Sequence, residues 1–220
     1  MESRLKYAPR ANLSQDHMGP RKIFITAVAV IAIVTGAWLS FKVASPPPLP
    51  QAATVLPAGN ELPEFSLLDH TGAPIDRSVF QGQWDLVFFG FTHCPDVCPL
   101  TLQVLADARS QLAADGVATL PRIVLVSVDP ERDTPEKLAQ YIAYFGADNL
   151  GITGTLEEIR KLTNGLGIWF EKSGAGENYS VDHSAAVLAI SPAGEFRALF
   201  SAPHKAENFV HDLPIIASQG

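Results

Sequence analysis

Cys94 and Cys98 are the only cysteines in the 220-residue chain, and they lie in Phe91-Thr92-His93-Cys94-Pro95-Asp96-Val97-Cys98-Pro99. Positions four apart on one helical turn face the same side, roughly 6 Å apart along the axis. That separation falls inside the span a disulfide can bridge, and it also lets two sulfurs share one metal ion. Amide groups and the positive end of a helix dipole at the turn would favour thiolates. Three intervening residues separate the pair from a thioredoxin-type redox motif, which has two. Thiolates are soft donors that suit Cu(I), whereas structural zinc asks for four protein ligands. A structural disulfide, a dithiol exchanger and a copper site therefore all stay open at this point.

A copper site wants a third donor, and six histidines could supply it. His17 precedes a long apolar segment, His70 sits in a turn and His93 borders Cys94. His204 and His211 fall near a final helix. His183, in Val181-Asp182-His183-Ser184-Ala185, stands where a loop leads into a strand, after the glycine-rich stretch Ser173 to Tyr179. Spacing alone does not raise His183 above the others.

These residues need a scaffold, and hydropathy patterning supplies one. Leu86 to Phe91 and Ile123 to Val128 are nearly continuous apolar runs, as expected of strands buried on both faces. Helices are expected over Leu102–Leu112, Pro135–Phe145, Leu156–Leu166 and Lys205–Ser218, with Asp133-Thr134 as a cap. Phe65–Leu68 with Pro74-Ile75, and Ala185–Ile190 with Phe196–Phe200, read as strand pairs joined by turns. Strands alternating with helices give an α/β class with a central, partly parallel sheet. The cysteine loop follows a buried strand, and the carboxyl ends of strands are where such sheets bind ligands.

Ahead of this domain, Ile23 to Phe41 carries no formal charge for nineteen residues. As a helix it spans roughly 28 Å, close to the hydrocarbon core of a bilayer. The chain up to Lys42 holds six basic and two acidic residues, a net +4, and the remainder has a net −11. Five of the six basic residues precede the segment, which keeps residues 1–22 in the cytoplasm and exports the rest. Val43-Ala44-Ser45 before Pro46 is a poor cleavage site, so residues 23–41 read as an uncleaved anchor. Residues 42–62, with five prolines, read as an extended spacer, and 63–220 as the domain. The N-terminal tail lacks the acid-poor look of a transit peptide, so the expected location is a bacterial inner membrane with the domain in the periplasm. Net charge −7 carries no phosphate-binding footprint and argues against nucleic acid as a partner.

Phe88-Phe89-Gly90-Phe91-Thr92-His93-Cys94-Pro95-Asp96-Val97-Cys98-Pro99, then Ser127-Val128-Asp129-Pro130-Glu131-Arg132-Asp133-Thr134-Pro135, then Val181-Asp182-His183-Ser184, together resemble the Sco (SenC-type) copper-chaperone family over about residues 60–215. The resemblance implies a thioredoxin-like fold and a mononuclear copper site, for Cu(I), Cu(II) or both, made by Cys94, Cys98 and His183. It implies a role in assembling the binuclear copper centre of cytochrome c oxidase, with that oxidase subunit as partner and a periplasmic thiol reductant or copper donor upstream. Asp129 reads as a carboxylate behind the ligands or equally as a loop cap, Asp182 as an orienting neighbour, and Arg132 and Asp133 as turn and cap. Two functions of different kinds follow. One is a metal carrier rather than an enzyme. The other is a thiol-disulfide oxidoreductase acting through Cys94 and Cys98 on the oxidised cysteine pair of an apo copper site. A peroxidase would need a single low-pKa cysteine, which the paired motif opposes.

Overall fold

A computed structural model describes residues 19–44, 48–174, 176 and 179–218. Residues 1–18, with His17, lie outside the described residues, as do Ala175, Glu177 and Asn178 of the glycine-rich stretch. The chain divides into two compact units, 1–47 and 48–220.

In the first unit, α1 runs Pro20–Ala44 and begins on a proline, whose missing N–H is no loss in a first turn. It outruns the uncharged stretch at both ends. Thr26 and Thr35 turn their hydroxyls back on the carbonyls of Lys22 and Ile31, at 2.6 and 2.8 Å, so their polarity is satisfied within the helix. Ile23, Phe24, Ile31 and Ile33 are exposed, an apolar surface suited to lipid. Among the described residues this is the one helix long and apolar enough to cross a membrane.

The second unit is built on an eight-stranded mixed sheet. Its strands are β1 (Ala53–Glu61), β2 (Leu67–Asp69), β3 (Pro74–Ile75), β4 (Asp85–Gly90), β5 (Arg122–Ser127), β6 (Leu150–Thr153), β9 (Val187–Ile190) and β10 (Glu195–Phe200). The order across the sheet is β1-β10-β9-β4-β5-β6-β2-β3, with β4, β5 and β6 parallel at its centre. Every residue of β4 is buried, which explains the apolar run that follows Asp85. Helices α2 (Val97–Ala114), α3 (Pro135–Ala143), α4 (Leu156–Gly165) and α5 (Ala206–Ala217) flank the sheet. Thr134 and Thr155 cap α3 and α4 through their side chains. A separate two-stranded ribbon pairs β7 (Phe170–Ser173) with β8 (Ser180–His183).

The proline-rich stretch divides differently from its composition. Ala53–Glu61 is not spacer but the edge strand β1, antiparallel to β10, and Pro57 falls where the register shifts between Val55 and Asn60. An edge strand with a bulge tolerates a residue that cannot donate to the ladder. The compact unit accordingly starts at Pro48 rather than Pro63.

Its first residues are clasped by Asp212 of α5. This fully buried carboxylate accepts the backbone N–H groups of Gln51, Ala52 and Ala53 at 2.9, 2.8 and 2.8 Å. Burial pushes its pKa up, but His211 and the three amides outweigh that and hold it below the usual value. A depressed folded pKa contributes stability above the unfolded pKa of about 3.9, lost as pH falls through the folded value. Asp212→Asn is expected to lower stability at pH 7 by about 1–3 kcal/mol and to flatten the acid limb of a Tm-against-pH curve. An unchanged acid limb would remove Asp212 from the account.

Candidate metal centre

Buried β4 delivers the chain to the site. After Gly90, Phe91 accepts the N–H of Cys94 at 3.2 Å in a tight turn, and α2 starts only at Val97. Cys94 therefore precedes the helix and Cys98 is its second residue. The two do not share a turn of regular helix; instead the Cys98 N–H points at the Cys94 sulfur, 3.4 Å away. Both are free thiols, Cys94 half-buried and Cys98 wholly buried.

Burial decides the protonation of Cys98. Loss of solvent and the hydrogen bond with the Cys94 thiol push its pKa far up, and the backbone at Phe91 offsets only part of this. The lowered thiol pKa expected from a helix start is overturned for this residue, because desolvation exceeds the benefit of the amide field. A soft metal ion is a ready replacement for that proton.

His183 ends β8, opposite Phe170 in the ribbon, rather than lying in a loop. Its Nδ1 lies 3.1 Å from the Ser184 carbonyl, which can only accept, so Nδ1 carries the proton and Nε2 offers its lone pair. That Nε2 lies 3.5 Å from the Cys98 sulfur. Phe88 and Phe91 set their rings at 71° and 85° to the imidazole, with centroids 5.8 and 6.0 Å away. Burial lowers the His183 pKa and keeps the ring neutral, as a metal ligand must be. The donor atoms of Cys94, Cys98 and His183 all lie within 4.8 Å of one another.

Among the described residues, the remaining histidines make other contacts. His70 accepts the Gly151 N–H, His204 donates to the Ala185 carbonyl, and His211 pairs with Asp212. His93 contacts the Thr92 hydroxyl and is nearly half exposed. Asp129 is buried, but its carboxylate accepts from the Tyr179 hydroxyl and Arg132. It meets the site only indirectly, since the Arg132 guanidinium lies over the Tyr179 ring and 5.7 Å from that of Phe91. Asp182 is exposed, on the opposite face of β8 from His183. The acid that reaches the cysteine loop is Asp133, whose side chain accepts from Thr92. Its only trace in the sequence is a charge immediately before a helix cap.

Residues 54–217 match the model of the SCO1/SenC family. The chain belongs to that family. The mitochondrial SCO2 homolog of Mus musculus is 37% identical over 152 residues, covering 68% of this chain and 60% of the mouse protein. Among solved structures, Arabidopsis thaliana ScoI with copper bound superposes with a TM-score of 0.69 at 30% identity, over 72% of this chain and 99% of its own. Apo Sco1 of Thermus thermophilus gives 0.65 at 36%, over 74% and 95%. The fold of this Sco-family chain is thus thioredoxin-like, a mixed sheet flanked by helices. Two thiolates and one neutral imidazole are a donor set that copper accepts, and three donors fall short of a closed zinc site.

Proposed function

We propose that this chain is a membrane-anchored metallochaperone that carries copper at Cys94, Cys98 and His183 and delivers it to the binuclear copper site of cytochrome c oxidase. The observation that supports it most is the convergence of two sulfurs and an Nε2 lone pair within 4.8 Å. The thiolates suit Cu(I), and the imidazole suits Cu(II) as well. Loading displaces the proton that burial holds on Cys98, so uptake is coupled to proton release. Cys94 is the more exposed sulfur, and ligand exchange with a recipient's thiolate starts there.

In this reading α1 holds the domain at a bacterial inner membrane, with the N-terminus cytoplasmic and residues 48–220 periplasmic. The oxidising compartment requires a thiol reductant, and copper comes from a periplasmic donor. The test is reconstitution: full chain loaded with one Cu(I), mixed with the apo copper-site subunit of the oxidase. Transfer of copper with the appearance of that subunit's copper spectrum is expected. Retention of copper against an excess of recipient would sink the proposal.

The contrast between a half-exposed Cys94 and a buried Cys98 favours one alternative. Cys94 attacks a client disulfide and releases one client thiol. Cys98 then resolves the mixed disulfide, so the client gains two electrons and two protons and the pair becomes a disulfide.

A further inference from the structure

The loop that carries Cys94 is held by a side chain from elsewhere in the fold. Asp133 is 1% exposed, and its carboxylate lies among donors. Oδ2 accepts the Thr92 N–H at 2.9 Å and the Ser127 hydroxyl at 2.7 Å, while Oδ1 accepts the Thr92 hydroxyl. Thr92 stands two residues before Cys94. Ser127 ends β5 and is the register partner of Gly90, the last residue of β4. One carboxylate therefore joins the cysteine loop to the ends of both central strands.

Its own backbone is fixed on two sides. The Asp133 N–H donates to the Asp129 carbonyl at 3.0 Å, and its carbonyl accepts the Thr153 hydroxyl from β6 at 3.1 Å. Thr134 then caps α3. The carboxylate is presented from a rigid corner, whereas the loop it holds is neither strand nor helix from Phe91 to Asp96. Burying a carboxylate costs several kcal/mol unless donors compensate, and here three do. A helix cap would need no such arrangement, since Thr134 already supplies one.

We propose that Asp133 is the positioning residue of the metal centre, holding Thr92 so that the Cys94 sulfur stays within reach of Cys98 and His183. The inference rests on reading those three residues as the copper ligands. Loss of the carboxylate leaves the Thr92 N–H and two hydroxyls short of an acceptor, and the loop regains them by turning toward water. Cys94 moves with it. Partners behind a ligand typically contribute 10–100-fold to metal affinity.

The test uses the full chain in detergent, with Asp133→Asn beside Asp85→Asn as a control. Asp85 is an equally buried carboxylate at the far end of β4, paired with Arg122 at 2.7 Å. Two quantities are read: the Cu(I) dissociation constant by chelator competition, and the rate of Cys94 alkylation in the reduced, metal-free protein. Asp133→Asn is expected to weaken Cu(I) binding by about 10–100-fold and to speed Cys94 alkylation. Asp85→Asn is expected to lower Tm while changing neither.

Equal effects of the two variants, or unchanged values for Asp133→Asn, would overturn the assignment. If Asp133→Asn does not fold, Thr92→Val decides: it removes one bond to the carboxylate, and a several-fold loss of affinity with faster alkylation supports the role, while no change refutes it. Failure of the unaltered chain to bind Cu(I) would overturn the copper reading itself. The alkylation contrast would still report whether Asp133 holds the loop.

Discussion

Replacing His183 with alanine is expected to abolish tight copper binding while leaving the Cys94–Cys98 dithiol able to reduce a disulfide. In the proposed centre the imidazole supplies the third donor, and its Nε2 is 3.5 Å from the Cys98 sulfur with the tautomer fixed by Ser184. The loss should exceed the roughly 10–100-fold typical of a partner behind a ligand, because a ligand itself is removed. Cu(II) is affected most, since the two remaining sulfurs favour the reduced ion. Disulfide reduction needs only an attacking and a resolving thiol, both of which survive. Phe88 and Phe91 lose the ring against which their edges pack, a change of about 1–2 kcal/mol that leaves the domain folded. Copper titration and a dithiol assay on the same preparation separate the two functions. Unaltered copper affinity with lost disulfide reduction would reverse the assignment in favour of the oxidoreductase.

That experiment turns on a residue the sequence marks least. The cysteines announce themselves by type and spacing, and β4 and β5 by their apolar runs, because full burial leaves no room for alternation. His183 looks no different from five other histidines until β7 and β8 pair and carry it to the cysteines. The ribbon is hard to read because Phe170-Glu171-Lys172-Ser173 and Ser180-Val181-Asp182-His183 are short and half-exposed, each with little apolar signal. Leu150–Thr153 hides similarly: four residues with a glycine among them become β6 only by pairing with β5 and β2. β1 is obscured by Pro57, which an edge position tolerates, and by the prolines on either side of the strand. Asp133 is misread for a different reason. Local rules assign it to a cap, whereas its role comes from Thr92, forty-one positions away in the chain. Long-range pairing, rather than local propensity, places the proposed third ligand and the loop's support.

The same strand end that starts the loop also sets how closely Cys98 can pack, which makes Gly90 the next residue to change. A Cβ at Gly90 would meet the Phe88 ring at 2.9 Å, the Cys98 sulfur at 3.0 Å and Leu125 at 3.4 Å. Its backbone is ordinary extended strand, so space rather than conformational freedom requires glycine here. Phe88, Leu125 and Cys98 are all fully buried, so none has open space to retreat into and the overlap displaces packed groups. Cys98, at the start of α2, is one of the two closest, and its displacement shifts the sulfur facing His183. Gly90→Ala is expected to cost about 1–3 kcal/mol from overpacking, or a Tm loss of several degrees, together with a marked loss of Cu(I) affinity. Gly151→Ala is the matched control, since its Cβ would meet Leu138, His70 and Ile142 at 3.2–3.3 Å, away from the ligands. It should destabilise the fold without changing copper affinity. If Gly90→Ala bound Cu(I) as tightly as the parent, the Cys98 sulfur would not be confined by β4, and its place in the metal centre would need another explanation.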